Sequence, residues 1–158
     1  MNKYILGFIA FIIIVIGAVI LLSSSGGLLG KKTTVTLAKQ KVTLDVADTE
    51  KARETGLSGR NSLSDNQGML FLFDEPSIPS FWMKGMKFPI DIVFLNNNKI
   101  VTIFKNVPAP KTVTETPNVY YQPSSPSDKV IELKAGMADK YNLHQGDTIK
   151  LSLWGYSG

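Results

Sequence analysis

Four side chains stand where they could do chemistry: Asp91, Arg60, Glu132 and Trp82. Asp91 interrupts the most hydrophobic of three strand-like apolar runs, Ile90-Asp91-Ile92-Val93-Phe94-Leu95. A carboxylate inside a strand buried on both faces costs several kcal/mol unless it is paired or hydrogen-bonded. Arg meets a carboxylate at two points and makes the better buried partner. The chain has two arginines, Arg53 and Arg60, and Arg60, beside glycines, is the expected mate. Three outcomes are open: an Arg60–Asp91 clamp that fixes register, an Asp91 that accepts turn amides, or a pair facing a ligand. An enzyme would use Asp91 with Arg60 or Glu132, and a two-carboxylate hydrolase needs Asp91 near Glu132 or Asp147. Alternation with Val130, Ile131 and Leu133 makes Glu132 the expected exposed member of its strand.

Phe81 and Trp82 point to opposite faces of a short strand, so one of them belongs to the core. Trp82 with Lys84 on its own side could form a stacking platform for a sugar or peptide, helped by Tyr120 and Tyr121. Indole and phenol combine an apolar face with a polar handle, as such binding requires. Plain core packing of Trp82 is the competing reading. Met83, Met86 and the lone His144 could in principle hold Cu(I), but a strand-buried Met83 and a solvated turn histidine are the expected states. No Ser sits in a Gly-x-Ser-x-Gly or Ser-x-x-Lys pattern and no phosphate loop appears. The chain has no Cys, so no Cys/His nucleophile pair is possible. No catalytic residue, metal or cofactor is assigned from the sequence.

The elements that must position these residues follow from patterning. Ile5 to Leu22 is an unbroken apolar run of eighteen residues. At roughly 1.5 Å per residue it would span about 27 Å, close to the bilayer core. Residues 1–22 are therefore expected to be a signal anchor, longer than the apolar core of a cleaved signal peptide. Residues 23–32 form a Ser/Gly linker, and 33–158 form an extracytoplasmic domain. The chain is thus expected in the cell membrane as a single-pass protein, attached through residues 5–22. From Lys31 on, sixteen of the 17 basic residues face 13 acidic ones, so the domain carries only +3. Those charges are scattered, and nucleic-acid binding is not expected without a basic stripe.

Val35 to Val46 reads as a hairpin turning at Lys39-Gln40, followed by a helix over residues 50–54 capped by Asp48 or Thr49 and ended by Gly56. Gly68 to Phe73 is a strand apolar on both faces, broken by Asp74-Glu75-Pro76. Ser80 to Lys84 reads as a short strand. Ile90 to Leu95 and Lys99 to Phe104 pair through an Asn96-Asn97-Asn98 turn. Val107 to Ser127 holds five prolines and reads as a long surface loop. A strand at Lys129–Leu133, a helical turn or two at Met137–Leu143 and a last strand with Ile149, Leu151 and Leu153 inward complete the chain. The expected fold is mainly β, a partly open barrel or sandwich of short, mostly antiparallel strands with one or two short helices.

These motifs together resemble the family known as domain of unknown function 192. The resemblance is carried by Gly56-Leu57 with Arg60, Gly68-Met69-Leu70-Phe71 ending at Phe73, and Phe81-Trp82-Met83-Lys84. Pro89-Ile90-Asp91, Val130-Ile131-Glu132-Leu133, Ala135-Gly136 and Gly146-Asp147 complete it, covering roughly Val42 to Leu153. It implies a small β-rich domain, commonly exported or membrane-tethered, with no established catalytic role. The chain departs from the pattern at Ser58-Gly59, where a Met and an aromatic are expected. It departs again at Gly85-Met86, where Asn-Thr is expected. The function expected is recognition of a cell-envelope polymer or a partner protein, with an enzyme or a purely structural accessory domain as the alternatives.

Overall fold

The computed structural model describes residues 31–115 and 118–152. The expected anchor, most of the linker and Leu153 lie outside the described residues. Among the described residues no helix is long and apolar enough to cross a membrane.

The chain opens with a hairpin of β1 (Lys32–Leu37) and β2 (Gln40–Ala47). Its turn falls on Ala38 and Lys39, both left-handed at φ 46° and 68°, one residue earlier than the sequence implies. Two left-handed residues match the twist of the flanking strands. Helix α1 (Glu50–Thr55) begins where the Thr49 hydroxyl accepts the Ala52 amide at 3.2 Å. It ends at Gly56, in a positive-φ conformation. Then come β3 (Gln67–Ser77), β4 (Ile90–Asn96), β5 (Lys99–Val107) and β6 (Ser127–Lys134). Asn97 and Asn98, at φ 47° and 65°, form the β4–β5 turn. A single-turn helix α2 (Met137–Lys140) and the short β7 (Leu151–Ser152) finish the described chain.

The seven strands form one sheet in the order β5-β4-β6-β3-β2-β1-β7. The expected sandwich of two sheets is therefore not formed. Every pairing is antiparallel except β2–β3, whose parallel register needs the crossover that carries α1. Two further expectations are corrected. Ser80 to Lys84 is not a strand, because Pro79 and Gly85 bracket it, and Phe81 makes only an isolated bridge to Tyr121. β3 runs on through Pro76, which is tolerated because residues between Leu72 and Ser77 have no partner in the β6 ladder.

β3, β6 and β4 lie in the middle and are covered on both faces. One face carries Leu44, Leu70, Val93, Ile131 and Leu133 beneath α2. The other carries Met69, Phe71, Ile92, Phe94 and Val130 beneath Leu57, Met83 and Met86. The start of β3 is crowded. A Cβ added at Gly68 would lie 2.5 Å from the Glu132 carbonyl oxygen and 2.7 Å from Leu44 Cδ2, so only glycine fits.

Asp91 sits on the α2 face and is fully buried. Its expected partner, Arg60, is elsewhere. Asp91 Oδ1 accepts the Asn106 amide at 2.7 Å and Oδ2 accepts the Ala138 amide at 2.7 Å. In the β4–β5 ladder Ile90 opposes Val107 and Ile92 opposes Phe104, so Asp91 faces two residues across a bulge. Asn106 in the bulge is left-handed, at φ 54°, and its amide turns to the carboxylate. The second amide belongs to the first turn of α2, which has no side-chain cap of its own. Asp91 therefore ties β5 and α2 to the central strand, which is the turn-amide outcome rather than the arginine clamp.

Asp91→Asn points an amide donor at a backbone donor and should lower unfolding free energy by about 2–4 kcal/mol. Unchanged urea midpoints would show that the two bonds carry no stability. Gly68→Ala should cost about 3 kcal/mol or more through overpacking. A variant as stable as the parent would mean that the β3–β6 spacing adjusts freely.

Candidate functional site

On the face opposite Asp91, α1 and the Ser77–Trp82 segment stand over β3 and β6 and leave a cleft of about 390 Å³. Phe71, Phe81, Leu57 and Met86 make its apolar wall. Phe81 meets Phe71 edge-on, at a ring-centroid distance of 5.0 Å. It meets Phe94 in the same way at 5.5 Å. Glu50, Arg53 and Glu54, all on α1, supply a charged wall. Arg53 is held in place, with Nη1 donating to the Leu72 carbonyl at 2.9 Å and the guanidinium 5.3 Å from the Phe73 ring centre.

Glu132 lines the base of this cleft and is only 5% exposed. The expectation of an exposed Glu132 is overturned because this face of β6 is covered by α1, Leu57 and Met86, and alternation in a doubly covered strand has no solvent side. Across the sheet it opposes Met69 on β3 and Ile92 on β4. Its Oε2 is buried and has no hydrogen-bond partner among the described residues. Burial pushes the Glu132 carboxyl up to about 8, against an opposing pull from the Arg60 guanidinium. Arg60 itself pairs with Asp45 on β2, Nη1 to Oδ2 at 2.8 Å.

Trp82 is the other half of the site. It is 44% exposed at the cleft, so the core-packing reading fails and Phe81 is the inward member of the pair. Tyr120, also exposed, lies 6.0 Å from the Trp82 ring at a tilt of 52°. The Lys84 ammonium stands 5.8 Å from the same ring. Tyr121 parts from this group. It bridges to Phe81 and packs edge-on against Phe104 at 5.3 Å, so it supports the site from within the core.

The structure thus brings Glu132, Trp82, Lys84 and Tyr120 to one region, with Arg60 close enough to act on Glu132. Asp91 is not part of it. Directly opposed residues share a face, so the pairs Asp91–Leu133 and Ile92–Glu132 place the two carboxylates on opposite sides of the sheet. Neither an Asp91–Arg60 nor an Asp91–Glu132 centre is formed. His144 has an exposed ring and pairs with Asp147 in a turn at 3.7 Å. Sequence reading missed Glu50, Arg53 and Glu54; their helical spacing on one face was the available signal.

Between roughly pH 4.5 and pH 8 the folded chain keeps a proton on Glu132 that an exposed glutamate loses. The folded state binds more protons across that window, so this group makes stability fall as pH rises through it. Glu132→Gln, which cannot ionise, should gain on the parent across the window by on the order of a few kcal/mol. Urea melts at each end of the window check this, and a pH-independent difference would contradict it.

Comparison with known proteins places this geometry. No curated protein matches the chain. A crystal structure from Sinorhizobium meliloti, named as a candidate transcription regulator, superposes with a TM-score of 0.66 at 26% identity. That match covers 77% of this chain and 92% of the other. A protein of unknown function from Novosphingobium aromaticivorans superposes with a TM-score of 0.62 at 28% identity, covering 75% of this chain and 83% of the other. The two segments that depart from the resembled pattern touch each other. Ser58 Oγ donates to the Lys84 carbonyl at 2.8 Å and the Gly59 amide to the Gly85 carbonyl at 3.0 Å. A Cβ at Gly85 would lie 3.2 Å from Ser58 Cβ. They form one linked change at the edge of the cleft, with Met86 on its wall. The profile of the family described as an uncharacterised ACR matches residues 32–151, and over that span the chain belongs to the family known as domain of unknown function 192.

Proposed function

We propose that this chain is a membrane-anchored, extracytoplasmic binding domain that recognises a cell-envelope polysaccharide in the cleft between α1 and the β3–β6 face. The observation that carries the reading is an exposed aromatic pair, Trp82 and Tyr120, beside a cleft whose base holds an unpartnered buried carboxyl. Exposed indole and phenol rings stack on the apolar faces of sugar rings, and a few convergent polar groups then fix orientation. Ser58, Ser77 and Ser80 add polar groups around the opening. The cleft volume falls within the roughly 300–1,000 Å³ of small-ligand sites.

The apolar run from Ile5 to Leu22 supports attachment to the membrane, and the short positive N-terminal flank with Lys3 favours a domain outside the cytoplasm. Backbone bonds from Ile100 to the Asp147 carbonyl and from Ile149 to the Asn98 carbonyl draw the start of β5 towards the segment before β7. That closure favours a partly open barrel, a rigid base for the cleft. A partner protein is the second reading, favoured by the exposed Val113 and Val119 in the same Pro-rich loop as Tyr120. One structural neighbour is named as a candidate transcription regulator, but the scattered charges of this sequence do not favour a nucleic-acid partner. Here both arginines are engaged, Arg53 with Leu72 and Arg60 with Asp45.

The full-length chain in detergent micelles, screened against envelope glycans, should bind at least one class. Trp82→Ala should weaken that binding by about tenfold or more. Absence of binding to every glycan retires the polysaccharide reading.

A further inference from the structure

Resting on that reading, we infer that the cleft selects an N-acetylated amino sugar, with the Glu132 carboxylic acid donating to the acetamido carbonyl. Three features of the cavity fit that group. Glu132 Oε2 is buried at the base without a partner, so a ligand reaching it meets an unsatisfied polar atom rather than a finished network. Around it stand Leu57, Phe71 and Met86, an apolar wall that suits a methyl group and offers no competing polar contact. At the outer end Trp82 lines the cavity and Tyr120 stands beside it, 6.0 Å from its ring, so that a pyranose there meets an aromatic surface. An acetamido substituent carries a carbonyl acceptor and a methyl on one short arm, and the sugar ring beside them reaches the aromatic pair.

The charged surroundings decide which form of Glu132 is used. Arg60, beyond α1, is the cation that acts on it, and that guanidinium is tied to Asp45 on β2. α1 contributes Glu50, Arg53 and Glu54 to the cleft. β3 and β4 bring only Met69 and Ile92 directly opposite. With apolar neighbours on both flanking strands, the carboxyl is held as the neutral acid up to about pH 8. A neutral acid is a donor, and it suits an uncharged carbonyl better than an ammonium group.

Calorimetry on the full-length chain in detergent micelles tests this with three tetrasaccharides: chitotetraose, its fully de-N-acetylated form, and cellotetraose. Chitotetraose should bind about tenfold tighter than either of the others, the worth of one buried hydrogen bond and its methyl contact. Equal affinity for chitotetraose and cellotetraose overturns the acetamido assignment while leaving polysaccharide recognition standing. Failure of all three, together with a blank glycan screen, removes both. Tighter binding of the de-N-acetylated form would show that the cleft takes a cation, and would also overturn the assignment. Glu132→Gln keeps a donor of the same shape. It should hold chitotetraose within about threefold of the parent, whereas Glu132→Ala loses about tenfold. Parent affinity should fall by about tenfold as pH rises from about 6.5 to about 9.5, and the glutamine variant should stay flat. A glutamine variant as weak as the alanine variant, with an unchanged thermal melt, would mean that the ionised form is required.

Discussion

The structure depends on one constraint: β3, β6 and β4 are covered on both faces, so any polar side chain there must find a partner or remain unsatisfied. Two carboxyls meet that constraint, and they meet it differently. Asp91 collects two backbone amides at 2.7 Å, one from the β5 bulge and one from the first turn of α2. Glu132, on the opposite face, has a buried oxygen without a hydrogen-bond partner among the described residues. The same environment makes the first a joint and the second a candidate recognition group.

That contrast explains why the two faces divide their work. On the Asp91 face, α2, Tyr141 and Leu143 close the core, and the Tyr141 hydroxyl donates to the Asp65 carbonyl at 2.6 Å. Asp65 in turn accepts both Lys134 and Lys140 at 2.8 Å, and those ammonium groups hold its carboxyl down at about 2. This exposed cluster adds little stability by itself but orders the loop before β3. On the Glu132 face, the covering layer is a six-residue helix and irregular segments, which pack less completely and leave the cleft. A buried acid that keeps its proton near neutral pH is an expensive feature for a fold to hold. It is tolerated because Glu132 borders a cavity rather than a fully packed core.

The two segments that depart from the resembled pattern, Ser58-Gly59 and Gly85-Met86, are in contact. Both segments meet at the edge of the cleft, where Gly85 leaves room for Ser58 and Met86 supplies apolar wall. A polar pair in place of Gly85-Met86 would give that wall hydrogen-bonding groups. This chain instead places Gly85 and the buried Met86 beside Trp82, with Met86 on the apolar wall of the cleft.

Much of the fold was legible in residue order. Two hairpins, the Thr49 cap and the doubly apolar β3 and β4 follow from local rules of periodicity, capping and turn geometry, whereas the crowding at Gly68 comes from β2 and β6. The need for Asp91 to have a companion also followed, because desolvation of a carboxylate is costly wherever it occurs. The identity of that companion did not. It is set by a bulge in β5 and a helix turn forty-seven residues away, which no local pattern encodes. Nor could alternation show that Glu132 is buried, since whether a face meets solvent depends on what packs over it, and here α1 and the Ser77–Trp82 segment cover that face. Residue order was enough to place most of the strands and to show that Asp91 needs a companion, but not to show that Ser80 to Lys84 stays outside the sheet or that β3 continues through Pro76. Only the tertiary structure decided which of the buried carboxyls was answered, because hydrogen bonding and burial depend on the elements brought alongside.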